Sequence, residues 1–434
     1  MRRLRLIYSA ILYLLLPVIV LRLFIRSLGN PAYRLRWKDR FGCLQEPELE
    51  CSLIWIHAVS VGEVRAAKPL VDTLLREYPG YQIMITTMTA TGADTVLQLY
   101  GNTVMHRYVP YDLPGAVRRF IKSTRPGCLM VMETELWPNL FHFCHIFKVP
   151  VILVNGRMSA QSARRYSLIA ALTRSTLGNL SEISAQSRSD AEHFVALGAA
   201  AEKVSVTGNL KYDFTLPEDF QTRFELIRQR WPGTRPVWIA ASTHAGEEAV
   251  ILTAHARVLD DIPECLLILA PRHPDRSNEI AELCKKSGFR FAQKTVSAGP
   301  DESMQVFILD TLGELIYYYA LSRLAFVGGS LVRVGGHNML EPASLGIPVM
   351  CGPYFYNFHE IGTLLQKAGA ARVISNQYEL ATEVIRLLSN EKLRHDAGQC
   401  GRKMVEENRG SIDRVLDSIR PLLNQYATKQ NRPV

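Results

Sequence analysis

Apolar residues along this chain gather in short, β-branched runs separated by longer segments in which they recur every three or four positions. Runs of the first kind predict buried strands, and segments of the second kind predict amphipathic helices. From residue 52 the alternation predicts strands at Leu53–His57, Gln82–Thr87, Leu129–Met132, Pro150–Asn155, Glu182–Gln186 and Val204–Thr207. After Gly208 the chain passes through Phe214-Thr-Leu-Pro-Glu-Asp into a charged helical stretch, Phe220–Arg230, closed by Trp231-Pro-Gly. A second series follows, with strands predicted at Val237–Ala241, Leu266–Ala270, Val306–Leu309, Leu324–Val327, Pro348–Cys351 and Ala371–Ile374. Strands separated by helix-length segments signal parallel sheets covered on both faces. The fold class is therefore α/β, with two doubly wound, Rossmann-like domains facing a cleft. The boundaries read as 1–28 for an N-terminal anchor, 29–215 for a first Rossmann-like domain, 216–410 for a second, and 411–434 for a C-terminal helix and tail. The amphipathic pattern around Ile412–Tyr426 predicts that last helix. No internal repeat is visible.

The first 28 residues break the pattern with an apolar run, Leu6–Leu21, bracketed by arginines. As a helix it reaches about 24 Å, short of a hydrocarbon core of about 30 Å. It reads as a cleaved signal peptide, as a buried core helix, or as an uncleaved anchor whose arginines reach the headgroups. Arg22 and Arg26 follow the run at once and leave a poor cleavage region, which favours the anchor. Basic residues are more numerous after the run (six) than before it (three), placing the body in the cytoplasm if the run spans.

Charge sharpens this picture. The chain has 434 residues and a formal net charge of +9. Residues 1–40 carry nine Lys/Arg (Arg2, Arg3, Arg5, Arg22, Arg26, Arg34, Arg36, Lys38, Arg40) against Asp39, and the rest is nearly balanced. A nucleic-acid binder carries its basic face on the folded domain, so the balance gives no support to that class. With 47% hydrophobic and 21% charged residues, bulk disorder is excluded. None of the eight cysteines forms a C-x-x-C pair and most lie in apolar stretches, as expected of reduced thiols in a cytosolic setting. His142, Cys144 and His145 cluster on a predicted helix without a second ligand group, which reads as a helix surface and not as a metal site.

Ligands of doubly wound sheets bind beyond the carboxyl ends of the strands, so motifs that follow strands carry the functional weight. His57-Ala-Val-Ser-Val-Gly-Glu63 opens a helix after the first strand. Glu63 there suits the helix dipole whatever the function, and it also stands where a general base would deprotonate an incoming hydroxyl. Met132-Glu-Thr-Glu-Leu-Trp-Pro138 offers Glu133 and Glu135, of which only one need face the cleft. In Gly208-Asn-Leu-Lys-Tyr-Asp213, Lys211 suits neutralisation of a leaving anion and equally an ordinary surface position. Ala270-Pro-Arg-His-Pro274 brackets Arg272 and His273 between prolines, and Asp310-Thr-Leu-Gly-Glu314 is again a strand followed by a turn. The richest stretch is Phe326-Val-Gly-Gly-Ser-Leu-Val-Arg-Val-Gly-Gly-His-Asn-Met-Leu-Glu-Pro342. Its Gly336-His337-Asn338 leads into a helix, where exposed amides would cradle a phosphate and Glu341 would meet ribose hydroxyls. It matches neither G-x-G-x-x-G nor the P-loop, which weakens dinucleotide and ATP-hydrolase readings.

Taken in order, HAVSVGE, METELWPN, TGNLKYD, APRHP, DTLGEL and VGGSL…GGHNMLEP give a sequence that resembles the Kdo (3-deoxy-D-manno-octulosonic acid) transferases of lipopolysaccharide synthesis, from the anchor nearly to the C-terminus. The resemblance implies a B-type glycosyltransferase fold and CMP-Kdo as donor. It also implies lipid IVA, the tetraacyl lipid A precursor, as acceptor, no cofactor or required metal, no nucleic-acid partner, and a place on the cytoplasmic face of an inner membrane with anionic lipids. It assigns Glu63 as proton acceptor, and Glu133 and Lys211 to transition-state stabilisation. Arg272, His273, the turn Leu312-Gly313-Glu314, and Asn338, Met339, Leu340 and Glu341 fall where the family holds CMP. Met339 and Pro342 are positions where members are expected to vary. Two other readings stand beside it: a B-type glycosyltransferase using a different nucleotide sugar, and a membrane-anchored binding protein with a degenerate catalytic cleft.

Overall fold

A computed structural model describes residues 2–29, 36–44, 52–231, 235–297 and 299–430. Arg34, Cys51 and Pro232-Gly233 fall outside the described residues. The chain divides into two compact units, residues 1–213 with 409–434, and residues 214–408.

The first unit is built on a seven-stranded sheet of β1 (Ser52–His57), β2 (Tyr81–Thr87), β3 (Met105–Tyr108), β4 (Cys128–Met132), β5 (Val151–Gly156), β6 (Glu182–Ala185) and β7 (Val204–Val206). The spatial order is β3-β2-β1-β4-β5-β6-β7, and every pairing is parallel. Alternation along β1 shows why both faces are covered. Leu53 and Trp55 enter one core with Phe120, Phe141 and Phe194, while Ile54 and Ile56 enter another with Val64, Leu70 and Met130.

The second unit repeats the plan with β8 (Val237–Thr243), β9 (Leu266–Pro271), β10 (Phe291–Gln293), β11 (Val306–Ile308), β12 (Leu324–Val327), β13 (Val349–Cys351) and β14 (Ala371–Val373). Its order is β10-β11-β9-β8-β12-β13-β14, again wholly parallel. In each sheet the strand order reverses beside the first strand, between β1 and β4 and between β8 and β12. Such switch points open the crevices where doubly wound sheets bind ligands.

All twelve strands expected from the sequence are present, with ends shifted by a residue or two. Two strands were not expected, β3 and β10, and each is the first edge of its sheet. An edge strand is half solvated and needs no apolar run. Met-His-Arg-Tyr in β3 alternates half-buried with buried positions, and Phe-Ala-Gln in β10 is half-buried throughout. Neither gives a hydrophobic signal.

The N-terminal helix runs Arg2–Gly29, longer than the apolar run alone, and 28 residues span about 42 Å. It is long and apolar enough to cross a membrane, and only 6% of its most apolar stretch is buried, which sets aside the core-helix reading. Leu14, Val18, Leu21 and Leu28 are all exposed. Its first turns are fastened by polar bonds. Arg5 Nη1 and Ser9 Oγ donate to Asn139 Oδ1 at 2.9 and 3.1 Å, and Tyr8 Oη donates to Asp112 Oδ2 at 3.0 Å. The buried Asp112 carboxylate also accepts the amides of Asn139 and Leu140, capping the helix Pro138–Ile146 from a distance. On that helix Cys144 is buried, and no group of three or more His, Cys, Asp or Glu side chains is arranged for a metal among the described residues. Of the described cysteines, Cys128, Cys144, Cys265, Cys284 and Cys351 are buried and Cys43 and Cys400 exposed, all as free thiols.

The closing helix, Ser411–Gln430, belongs to the first unit. Val415, Leu416, Ile419 and Leu423 complete the core that Ile54 and Ile56 enter. Asp213 receives the amides of Gly410 and Ile412, both at 2.6 Å, and fixes the helix start. Leu416→Ala is expected to cost about 2–5 kcal/mol, the range for emptying a closed core position. Urea unfolding measures it, and a loss below about 1 kcal/mol would mean that the helix is not part of that core.

Candidate functional site

In the first unit the chemistry collects at the carboxyl ends of β1, β4, β5, β6 and β7. Beyond β1, Ser60 caps the helix Val61–Glu77, its side chain accepting the Glu63 amide. Glu63 Oε2 accepts the Val59 amide at 2.8 Å and Oε1 accepts the Ser60 hydroxyl at 3.1 Å. Burial pushes its carboxyl up to about 8, and the negative charges of Glu133 and Glu135 add to that rise against the two hydrogen bonds. The proton affinity is thus poised for a general base near neutral pH. His57, which opens the same motif, has no such role. It is fully buried, and burial pushes its imidazole down to about 4, so the ring is neutral. Its Nδ1 faces the Thr86 carbonyl and hydroxyl, and its ring meets the edge of Trp137.

Beyond β4, Glu133 adopts a left-handed backbone (φ 58°), unusual for a residue with a side chain. Its amide donates to the Val154 carbonyl at 3.0 Å, and its carboxylate meets Lys211 Nζ at 3.3 Å with both side chains largely covered. The structure therefore brings together all three residues expected to act, Glu63, Glu133 and Lys211. It also assigns the second acid of the motif: Glu135 accepts the Trp137 indole N–H at 2.7 Å.

Lys211 lies on a short 3-10 turn, Leu210–Tyr212, held by amides that the sequence reading passed over. Asn155 Oδ1 accepts the Leu210 amide, Asn209 Oδ1 accepts the Lys211 amide, and Asn209 Nδ2 donates to Gln186 Oε1. Gln186 Nε2 in turn donates to the Asn155 carbonyl. Asn155 lies at the end of β5, Gln186 follows β6 directly, and Asn209 stands three residues beyond β7. For Asn155 and Gln186, a carboxamide at the end of an apolar strand was the available signal.

In the second unit the corresponding strand ends are those of β11, β9, β8 and β12. The centre of this group is Ser242-Thr-His-Ala-Gly-Glu-Glu248, also missed in the sequence, although it stands after β8 as the Glu63 motif stands after β1. Glu247 is fully buried and its carboxylate accepts four amides, those of His244, Gly329, Ser330 and Leu331, at 2.7–3.0 Å. The adjacent Glu248 takes the Thr243 hydroxyl and a bidentate pair from Arg276. The approach needs glycine, because a Cβ on Gly328 would lie 2.8 Å from the Ser242 carbonyl and 2.9 Å from Glu247 Oε2.

Some amides around the expected phosphate cradle are engaged within the protein. The amides of Gly335 and Gly336 donate to the Gly329 carbonyl, and that of Leu340 to Asn338 Oδ1. The diglycine loop is organised around an internal carboxylate, and its neighbouring amides hold the loop itself. Met339 and Leu340 have buried side chains, and Asn338 Nδ2 donates to Glu341 Oε1 at 3.0 Å. Three histidines gather beside the loop. His244 and His337 stack with their Nε2 atoms 2.8 Å apart, and His273 meets His244 edge-on at 5.8 Å. Burial lowers the proton affinity of His244, with Glu247 opposing that and His273 and Arg272 adding to it. Arg272 and His273 are thus in one group with His337. The Leu312-Gly313-Glu314 turn follows β11, the neighbour of β9. Leu312 is 74% exposed, Gly313 has open space around it, and Glu314 accepts the Thr311 hydroxyl.

Residues 35–214 match the family model described as 3-deoxy-D-manno-octulosonic-acid transferase (kdotransferase). The 3-deoxy-D-manno-octulosonic acid transferase of Haemophilus influenzae is 40% identical over 97% of this chain and 99% of its own length. The chain belongs to the Kdo transferase family. The Bordetella pertussis transferase is 36% identical, over 84% of this chain and 86% of its own. A glycosyltransferase from Rickettsia africae superposes with a TM-score of 0.55 at 12% identity, covering 86% of this chain and 99% of that one, which is a likeness of fold. A Kdo transferase is a glycosyltransferase, and its two doubly wound units are those of the B-type fold. Membrane association follows from the family and the apolar N-terminal helix.

The Glu63 carboxyl gives a stability test of this transferase. Folded, it holds its proton up to about pH 8, against 4.5 ordinarily. The folded state therefore binds more protons across that interval. Its contribution to stability is complete below about 4.5 and is lost as pH rises through about 8. Relative to wild type, Glu63→Gln is expected to gain stability progressively between about pH 5 and 8 in urea unfolding. A difference constant with pH would contradict the assignment.

Proposed function

We propose that the protein transfers Kdo from CMP-Kdo to lipid IVA by a single inverting displacement that releases CMP, with the first unit taking the acceptor and the second the nucleotide. The observation that carries the reading is the Glu63 carboxylate, half-satisfied by two hydrogen bonds and poised near neutral pH beside the Glu133–Lys211 pair. Glu63 takes the proton from the acceptor hydroxyl, whose oxygen bonds to the ketosidic carbon of Kdo. The bond from that carbon to the phosphate oxygen breaks, and its electron pair leaves with CMP. CMP is already a good leaving group, so no acid is needed to protonate it.

Positive charge builds at the ketosidic carbon and negative charge on the phosphate. Glu133 stabilises the first and Lys211 the second. Arg272 supplies positive charge for the nucleotide phosphate, and His273, with His244 and His337 beside it, supplies ring nitrogens as hydrogen-bond donors. Glu341, oriented by Asn338, is available to ribose hydroxyls, and the exposed Leu312-Gly313-Glu314 turn to the base. The N-terminal helix holds the enzyme on the cytoplasmic face of the inner membrane, where its flanking arginines meet anionic lipid.

Glu63→Gln is expected to slow transfer by about 100-fold or more, the scale of a lost general base, while CMP binding measured by calorimetry stays unchanged. Near-normal turnover by that variant would remove Glu63 from the mechanism. In the same calorimeter, tighter binding of UMP than of CMP would reject the donor and favour a transferase of another nucleotide sugar.

A further inference from the structure

The ion pair between Glu133 and Lys211 joins two loops that the chain delivers from different strands. Glu133 stands just beyond β4, and Lys211 lies in the three-residue 3-10 turn Leu210–Tyr212 beyond β7. A 3-10 turn of that length has little cohesion of its own. The placement of Lys211 therefore rests on what holds the turn from outside.

One end of the turn is tied through Asp213, whose carboxylate receives the Gly410 and Ile412 amides. The other end is tied through Asn155, whose Oδ1 accepts the Leu210 amide at 3.0 Å. The backbone on either side of Asn155 reaches Glu133. The Val154 carbonyl accepts the Glu133 amide at 3.0 Å, and the Arg157 amide donates to the Glu133 carbonyl at 3.4 Å. Asn155 is itself locked from the β6 side. Gln186 Nε2 donates to its carbonyl, and the Gln186 amide donates to the carbonyl of Gly156, both at 2.9 Å. Asn155 is thus bracketed by the two bonds that fix Glu133, while its side chain holds the turn that carries Lys211.

The residue type matters at this place. Asn155 has φ 56°, a left-handed conformation that glycine, asparagine and aspartate tolerate best. Glycine would keep the backbone and lose the acceptor. Aspartate would keep both, but it would bring a further carboxylate to a fully buried position beside the turn of Lys211. Burying that charge is costly, and it would compete with Glu133 for the ammonium. Asparagine combines the backbone, the acceptor and neutrality. It does so at a cost in stability, because its Nδ2 is covered and has no hydrogen-bond partner among the described residues. A position selected for stability alone would not leave a buried donor unmatched.

Resting on the reading of Glu133 and Lys211 as the pair that stabilises the transition state, we infer that Asn155 is a positioning residue for transfer. Through the Leu210 amide it sets the separation of that carboxylate and that ammonium. Being fully buried, it acts through Lys211 and not on a substrate.

The test is a double-mutant cycle in the full chain, read as Kdo transfer from CMP-Kdo to lipid IVA. Asn155→Gly keeps the left-handed backbone and removes the acceptor. It is expected to lower kcat by about 10- to 100-fold, the scale of a misplaced charged group. Both KM values should stay within about twofold of wild type, as for an interaction made only in the transition state. Lys211→Ala is expected to lower kcat at least as far. Adding Asn155→Gly to Lys211→Ala should cost less than about twofold more, because residues that act through one another do not add. A double variant that loses the full product of the two single effects would overturn the proposal. Near-normal kcat per folded molecule in Asn155→Gly, with lost activity tracking a lower Tm, would make Asn155 structural and overturn it too. Near-normal kcat in Lys211→Ala would instead remove the transition-state reading of the pair, and the role of Asn155 with it.

Discussion

A parallel sheet covered by helices on both faces has one place for polar chemistry, the ends of its strands. Both sheets of this protein obey that constraint. Residues within β1, β4, β5, β8, β9 and β12 are buried almost without exception, and the apolar side chains of each strand alternate between two cores. Charge appears where the strands run out, and there it is dense: Glu63, Glu133 and Lys211 in the first unit, His244, Glu247, Arg272 and Glu248 in the second. The apolar strands supply the stability that lets those loops carry buried carboxylates and left-handed residues such as Glu133 and Asn155.

Two carboxylates at equivalent places show how the same position serves opposite ends. Each stands in the helical turn that follows the first strand of its sheet. A carboxylate offers about four acceptor positions. Glu247 fills four with backbone amides and so works as an internal anion that shapes the diglycine loop. Glu63 fills two, and its neighbours include Glu133 and Glu135, whose charge favours its protonated form. Saturation makes one acid structural, and incomplete satisfaction leaves the other able to exchange a proton.

This contrast marks what could be read in the sequence. The interior strands are plain because burial on both faces demands continuous apolar runs, and the motifs following them are plain because strand ends are where side chains become polar. β3 and β10 were hidden because an edge strand needs no such run. The Ser242–Glu248 segment was hidden for a different reason: its acids look like ordinary helix-start residues until Gly329, Ser330 and Leu331 are seen folding back onto Glu247. That partnership joins positions more than eighty residues apart. For the same reason the use of the Gly335 and Gly336 amides within the loop, on the Gly329 carbonyl, was hidden. Glu63, Glu133 and Lys211 were each legible as polar residues beyond a strand, but the Glu133–Lys211 contact comes from a register of strands that only the fold displays.

The basic surplus of the chain also divides once the fold is known. Arg5 fastens the N-terminal helix to Asn139, Arg40 is buried against Tyr108, and Arg36 is held by a neutral histidine. These arginines lie on the apolar helix and on the turn that packs against the sheet carrying Glu63, so the helix and Glu63 belong to one unit. The most direct test is mass spectrometry of lipid IVA after incubation with the purified full chain and a CMP-Kdo-generating system. The account expects the lipid to gain one or more Kdo residues with matching release of CMP. Unmodified lipid IVA alongside intact CMP binding would contradict it.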